Sequence, residues 1–105
     1  MSDVAFPDIE IKPAIDPLSE EEFEPLYRVL IHNDDVTPID FVIVVLQRFF
    51  QLDRPTAEAI TYTAHVEGIA YVMTLPKNEA QKRVGQAHFA ASLEGYPLLF
   101  TIEPE

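Results

Sequence analysis

Asn33, Asp34 and Asp35 stand together between two apolar runs, and His65 lies further along the chain beside Glu67. A carboxylate, an amide oxygen and a neutral imidazole nitrogen are all hydrogen-bond acceptors. Converging on one point, they suit a small ammonium group. An α-amino group, with a pKa of about 7.7–8.0, is mostly a cation with three donors at neutral pH. Ile39 and Val42 on one side and Ala64 on the other supply apolar surface next to those acceptors. An ammonium clamp beside an apolar hole reads a chain's free N-terminus and its first side chain together. A lysine head fails this test, because its methylene stem separates the charge from the backbone.

Two other chemistries use the same groups. Asp34 or Asp35 with His65 makes a general acid–base pair for a hydrolase, but no nucleophile accompanies it: cysteine is absent, and Ser2, Ser19 and Ser92 fall outside the stretch. One imidazole with two carboxylates also suits iron or zinc. No second histidine lies at helical spacing from His65, and His32 and His88 read as ordinary strand-end and helix-surface residues. No metal or cofactor is therefore expected, and no enzymatic activity. Asn-Asp-Asp is also ordinary turn chemistry, and a histidine is favoured at the negative end of a helix. Spacing alone leaves the turn and the clamp open.

The elements around these residues follow from periodicity. Tyr27–Ile31 is rich in β-formers and ends at the acidic loop, hence a first strand. Residues 38–50 place apolar side chains at 41, 42, 45, 46, 49 and 50, the spacing of a helix with a broad buried face. Thr37 is the expected cap of that helix, with Pro38 in its first position and Asp40 near its positive end. Asp53 is the expected cap of a second helix, with Pro55 in its first turn and Gly68 at its end. Ile69–Leu75 reads as a second strand. Asn78 is the expected cap of a third helix running to about Leu93 and closed by Gly95, and Leu98–Ile102 reads as a third strand. The order β-α-α-β-α-β predicts an α+β domain, a three-stranded antiparallel sheet with three helices on one face. If the first two helices pack antiparallel, His65 returns to the acidic loop.

At 105 residues the chain is long enough for one modest core. Its net charge is −11, of which −7 falls in residues 1–26, a segment with four prolines and no sustained apolar period. Such a segment reads as a flexible acidic extension, leaving residues 27–105 as the folded domain. The acidic balance argues against nucleic acid and favours a cationic ligand or basic partner. No apolar run approaches the roughly 18 residues of a membrane span, and no basic-then-apolar leader is visible, so a cytoplasmic protein without a membrane is expected.

The stretch Tyr27 to Asn33, then Asp34-Asp35-x-Thr37-Pro38 and Phe41-Val42, resembles the ClpS family of adaptor proteins. So do Val45-Leu46-x-x-Phe49-Phe50, His65-x-x-Gly68 and Pro97-Leu98-Leu99. The resemblance runs from about residue 27 to 103. It implies an adaptor that binds proteins bearing certain large apolar N-terminal residues and hands them to a Clp-type AAA+ unfoldase, of the ClpA or ClpC type, for degradation. It implies that Asn33, Asp34 and His65 bind the substrate's α-amino group, and that Asp35 and Thr37 shape the loop and the peptide contact. Ile39, Val42, Thr61, Ala64 and Leu98 would line or gate the side-chain pocket. Glu79 and Arg83 would face the N-terminal domain of the unfoldase, and the acidic extension would serve delivery. A monomer is expected.

The sequence departs from the family pattern where specificity is set. Ile39 stands where methionine is common, and a β-branched side chain is stiffer than methionine. Thr61 and Ala64 stand where larger apolar residues are common. A stiff gate argues against bulky aromatics and smaller walls argue for them, so leucine and phenylalanine are both expected ligands. Glu79-Ala80-Gln81-Lys82-Arg83-Val84 keeps the family's register and a basic residue but alters the neighbours. The alternatives to this reading are a metal-binding module or a general protein-interaction module on the same fold, blind to the N-terminus.

Overall fold

The computed structural model describes residues 24–105. Six elements follow one another: strand β1 (Leu26–His32), helix α1 (Ile39–Phe50), helix α2 (Arg54–Glu67), strand β2 (Ile69–Pro76), helix α3 (Lys77–Glu94) and strand β3 (Leu99–Pro104). The order is the one periodicity predicts. β1 lies at the centre of the sheet, with β2 and β3 antiparallel on either side.

Period-two alternation turns Val29 and Ile31 of β1 inward, where Ile31 faces Ala70 on one neighbour and Phe100 on the other. A bulge opposite Val29 and Leu30 leaves Val72 of β2 without a partner in β1. The helices cover this face. α1 contributes Val42, Val45, Leu46 and Phe50, while α2 and α3 contribute mainly alanines (Ala57, Ala64, Ala80, Ala87, Ala91), whose small side chains let those helices pack closely. Phe50 stacks on Phe100 with ring centres 5.1 Å apart, joining the end of α1 to β3. Each large side chain buried in this way contributes about 1.5–3 kcal/mol. Among the described residues, no helix is long and apolar enough to cross a membrane.

The second helix starts and stops as the sequence predicts. Asp53 accepts the Thr56 N–H at 2.9 Å, Pro55 occupies the first turn, and Gly68 closes α2 at φ 90°. The other two helix starts differ from expectation. Thr37 does not cap α1: Pro38, in an extended conformation, precedes the first helical residue, and no side chain caps the end. The Thr37 hydroxyl is taken by Asp34 instead. Asn78 does not cap α3 either, since it lies inside the helix, which begins at Lys77. The cap comes from Glu24, whose carboxylate accepts the Asn78 backbone N–H at 2.9 Å and the Asn78 side-chain amide.

Glu24 therefore moves the start of the domain ahead of Tyr27. The Pro25 carbonyl accepts the Lys77 N–H at 3.1 Å, and the Leu26 carbonyl accepts the Glu105 N–H at 3.0 Å. Residues 24–26 are tied to α3 and to the end of β3, while residues 1–23 of the expected extension lie outside the described residues. His88 is also more than a surface residue. Its Nε2 accepts the Phe100 backbone N–H at 2.9 Å, a donor that the pairing of β3 with β1 does not use.

Candidate functional site

The loop between β1 and α1 is built around one carboxylate. Asp34 Oδ1 accepts the backbone N–H groups of Val36 and Thr37 at 2.8 and 2.7 Å, and Oδ2 accepts the Thr37 hydroxyl at 2.9 Å. This is the turn chemistry that short polar side chains offer their own backbone. Burial pushes the Asp34 carboxyl up, but the hydrogen bonds from Thr37 and Val36 outweigh that and hold it below the usual carboxylate range. The group is thus anionic at neutral pH. Thr37 is buried, whereas Asn33 and Asp35 are exposed.

The end of α2 is pinned to this loop. The Asn33 N–H donates to the Gly68 carbonyl at 3.0 Å, and the pairing of His32 with Ile69 fixes the strands just below. Gly68 in turn donates its N–H to Ala64 at 2.8 Å, closing the helix that carries His65. A left-handed residue here favours glycine, which adopts φ 90° without the strain a side chain adds. The last turn of α2 and the acidic loop are held side by side as a result.

A cavity of about 220 Å³ opens between them. Asn33, Asp34, Asp35, Thr37 and His65 supply its polar groups. Ile39 and Val42 from α1, Thr61 and Ala64 from α2, and Leu98 from the loop before β3 supply the rest. All ten residues singled out for the loop and pocket thus meet at one cavity. Val42, Thr61, Ala64 and Leu98 are buried, and Ile39 stands 54% exposed above them. Thr61 is less polar as a wall than its type suggests, because its hydroxyl donates to the Ala57 carbonyl at 2.8 Å.

Ile31 and His32 also line the cavity and were not anticipated. Ile31 is the last inward residue of β1, so its position before the loop was the available signal. His32 Nε2 lies 2.8 Å from the Thr101 hydroxyl, which ties that ring to β3. Glu79 and Arg83 lie apart from the cavity on α3, where Arg83 Nε donates to Glu79 Oε2 at 2.8 Å. That ion pair is partly buried, and the hydrogen bond from Arg83 holds the Glu79 carboxyl below its usual range. Among the described residues, no three His, Cys, Asp or Glu side chains are grouped to share a metal ion. An anionic, acceptor-lined mouth over an apolar cavity is suited to an organic ammonium carrying an apolar group.

Residues 22–101 match the family described as ATP-dependent Clp protease adaptor protein ClpS. The chain is 40% identical over 99 residues to the ATP-dependent Clp protease adapter protein ClpS 2 of Mesorhizobium japonicum, covering 94% of this chain and 98% of that one. It is 44% identical over 79 residues to the ClpS adapter of Aromatoleum aromaticum, covering 75% of this chain and 78% of the relative. Among solved structures, Agrobacterium tumefaciens ClpS2 bound to L-phenylalaninamide superposes with a TM-score of 0.75 at 38% identity, over 77% of this chain and 98% of that one.

Proposed function

The chain belongs to the ClpS family of ATP-dependent Clp protease adaptor proteins, and from that membership we propose how its cavity works. It receives the first residue of a protein with a free, large hydrophobic N-terminus, and the adaptor delivers that protein to a Clp AAA+ unfoldase for degradation. The observation that carries this reading is the shared mouth: acceptors of Asn33, Asp34 and His65 border the same cavity as Val42, Ala64 and Leu98. The ligand of the Agrobacterium relative, L-phenylalaninamide, joins a free α-amino group to an apolar side chain in just this way.

Asn33, Asp34 and His65 bind the α-amino group. Asp35 and Thr37 shape the loop and meet the peptide. Ile39, Val42, Thr61, Ala64 and Leu98 enclose the first side chain, with Ile39 as the gate. Burying one Leu or Phe side chain contributes about 2–3 kcal/mol, and hydrogen bonds to a charged group contribute about 1.5–3 kcal/mol each. After the cost of immobilisation this gives roughly micromolar binding, about −8 kcal/mol, weak enough for cargo to be released. The partner is the N-terminal domain of a ClpA- or ClpC-type unfoldase, met through Glu79 and Arg83, and the acidic residues ahead of Glu24 form the extension used in delivery. The protein acts as a monomer in the cytoplasm and catalyses nothing itself.

Fluorescence anisotropy with peptides bearing free N-terminal Leu, Phe, Tyr, Trp, Ile or Ala tests the reading. Leu and Phe peptides are expected to bind, and to lose binding on N-acetylation. Equal binding of free and acetylated peptides would make the domain a general interaction module instead.

A further inference from the structure

Beside the first cavity runs a second groove, about 230 Å³ in volume, which the function just proposed leaves unused. Ile39 and Ile43 lie one turn apart on α1, and Glu58, Thr61, Tyr62 and His65 form a single stripe along α2. The groove therefore lies between two facing helix stripes. Ile39, Thr61 and His65 belong to both cavities and form the ridge between them. One end of the groove opens at Ile39 and His65, beside the acceptors for the α-amino group. The other end is marked by Ile43, one turn or about 6 Å along α1, and by Glu58, about two turns or roughly 10 Å back along α2.

We propose that this groove receives the second side chain of the bound N-terminus and selects an apolar one there. The inference rests on the reading of the first cavity as the seat of the first residue. Two observations support it. Successive side chains of an extended chain point to opposite sides. With the first side chain on the Val42 and Ala64 side of the ridge, the second falls on the Ile43 and Tyr62 side. The groove's surface is also prepared for apolar contact. Tyr62 is 69% exposed and Ile39 54% exposed, large side chains with open faces at the groove. The Thr61 hydroxyl is already bonded to Ala57, and the Glu58 carboxylate is engaged by Arg54 at 2.9 Å. Both of these polar groups are thus engaged before any ligand arrives.

The test is a peptide series with free N-terminal Leu followed by Gly, Ala, Leu or Phe, measured by anisotropy on the full chain and on Tyr62→Ala. Leu or Phe at the second position is expected to bind about tenfold more tightly than Ala, as burial of a few apolar carbons predicts. In Tyr62→Ala that ratio is expected to fall to about two or below. Methyl spectra provide an independent readout: the Ile43 methyl resonance should shift more with Leu than with Ala at the second position. A ratio near one in the unaltered protein, or a ratio unchanged by Tyr62→Ala in a folded variant, would overturn the proposal while leaving the first cavity's role intact. Failure of free Leu to outcompete acetylated Leu would instead overturn the underlying reading.

Discussion

The Asp34 carboxylate accepts three hydrogen bonds from its own loop, and a carboxylate offers about four acceptor positions. One position remains for a bound ammonium. Turn chemistry and ligand binding, which the sequence poses as rivals, are compatible uses of a single side chain. They separate on mutation. Asp34→Ala leaves the buried Thr37 without its side-chain and backbone partner, so it should cost about 1–3 kcal/mol of stability as well as peptide binding. His65 is exposed, and its imidazole makes no hydrogen bond to the other described residues. His65→Ala should therefore abolish most binding while changing stability by less than about 0.5 kcal/mol. Urea unfolding alongside anisotropy checks the pair. Equal losses of stability in both variants would contradict this division of labour.

Among the elements, the join between α3 and β3 depends on a neutral histidine. His88 Nε2 can accept the Phe100 N–H only when that nitrogen carries no proton. Burial pushes the His88 imidazole below its ordinary value, because the charged form is poorly solvated there. As pH falls below about 6.5, the unfolded chain takes up its proton first, so the native state loses stability down to the depressed native value. Thermal melting across pH 8 to 5 should show this decline, and His88→Gln, which retains an acceptor that does not titrate, should flatten it. The same pH slope in the variant would assign the effect elsewhere. His88 was not legible as more than a helix-surface residue, since its partner is a backbone group of a strand twelve residues on. The helix caps follow a similar rule. Asp53 was legible because cap and donor are three residues apart, whereas Glu24 caps a helix 54 residues away. Thr37 was misread because Asp34, nearby in sequence, competes for the same hydroxyl and backbone groups. The cavity residues were legible in part from topology, which returns His65 to the loop, and in part from motif spacing. Glu58 and Tyr62 escaped notice because exposed helix residues carry no local pattern that marks a groove, and Ile43, although buried, lies outside the spacing 41, 42, 45, 46, 49 and 50.

For the molecule as a whole, the boundary between acidic extension and domain decides which truncation is informative. Composition puts it after residue 26, where the densest run of acids gives way to sustained apolar periodicity. Hydrogen bonding puts it before Glu24. A chain beginning at residue 24 keeps the Glu24 carboxylate on the start of α3, the Pro25 carbonyl on Lys77 and the Leu26 carbonyl on Glu105. A chain beginning at Tyr27 loses all three and leaves the first N–H groups of α3 to water. The loss of a cap costs about 1 kcal/mol, and each further hydrogen bond contributes about 0.5–1.5 kcal/mol. A domain of this size shifts its melting temperature by about 4–8 °C per kcal/mol. The three losses together come to about 2–4 kcal/mol, so the chain of residues 27–105 is expected to melt about 8–30 °C below that of residues 24–105. Both chains retain every residue that lines the cavity, so both should bind the same free-Leu peptide at a temperature where both are folded. Scanning calorimetry of the two chains decides the matter. Coincident melting curves would return residues 24–26 to the extension and leave α3 capped by solvent.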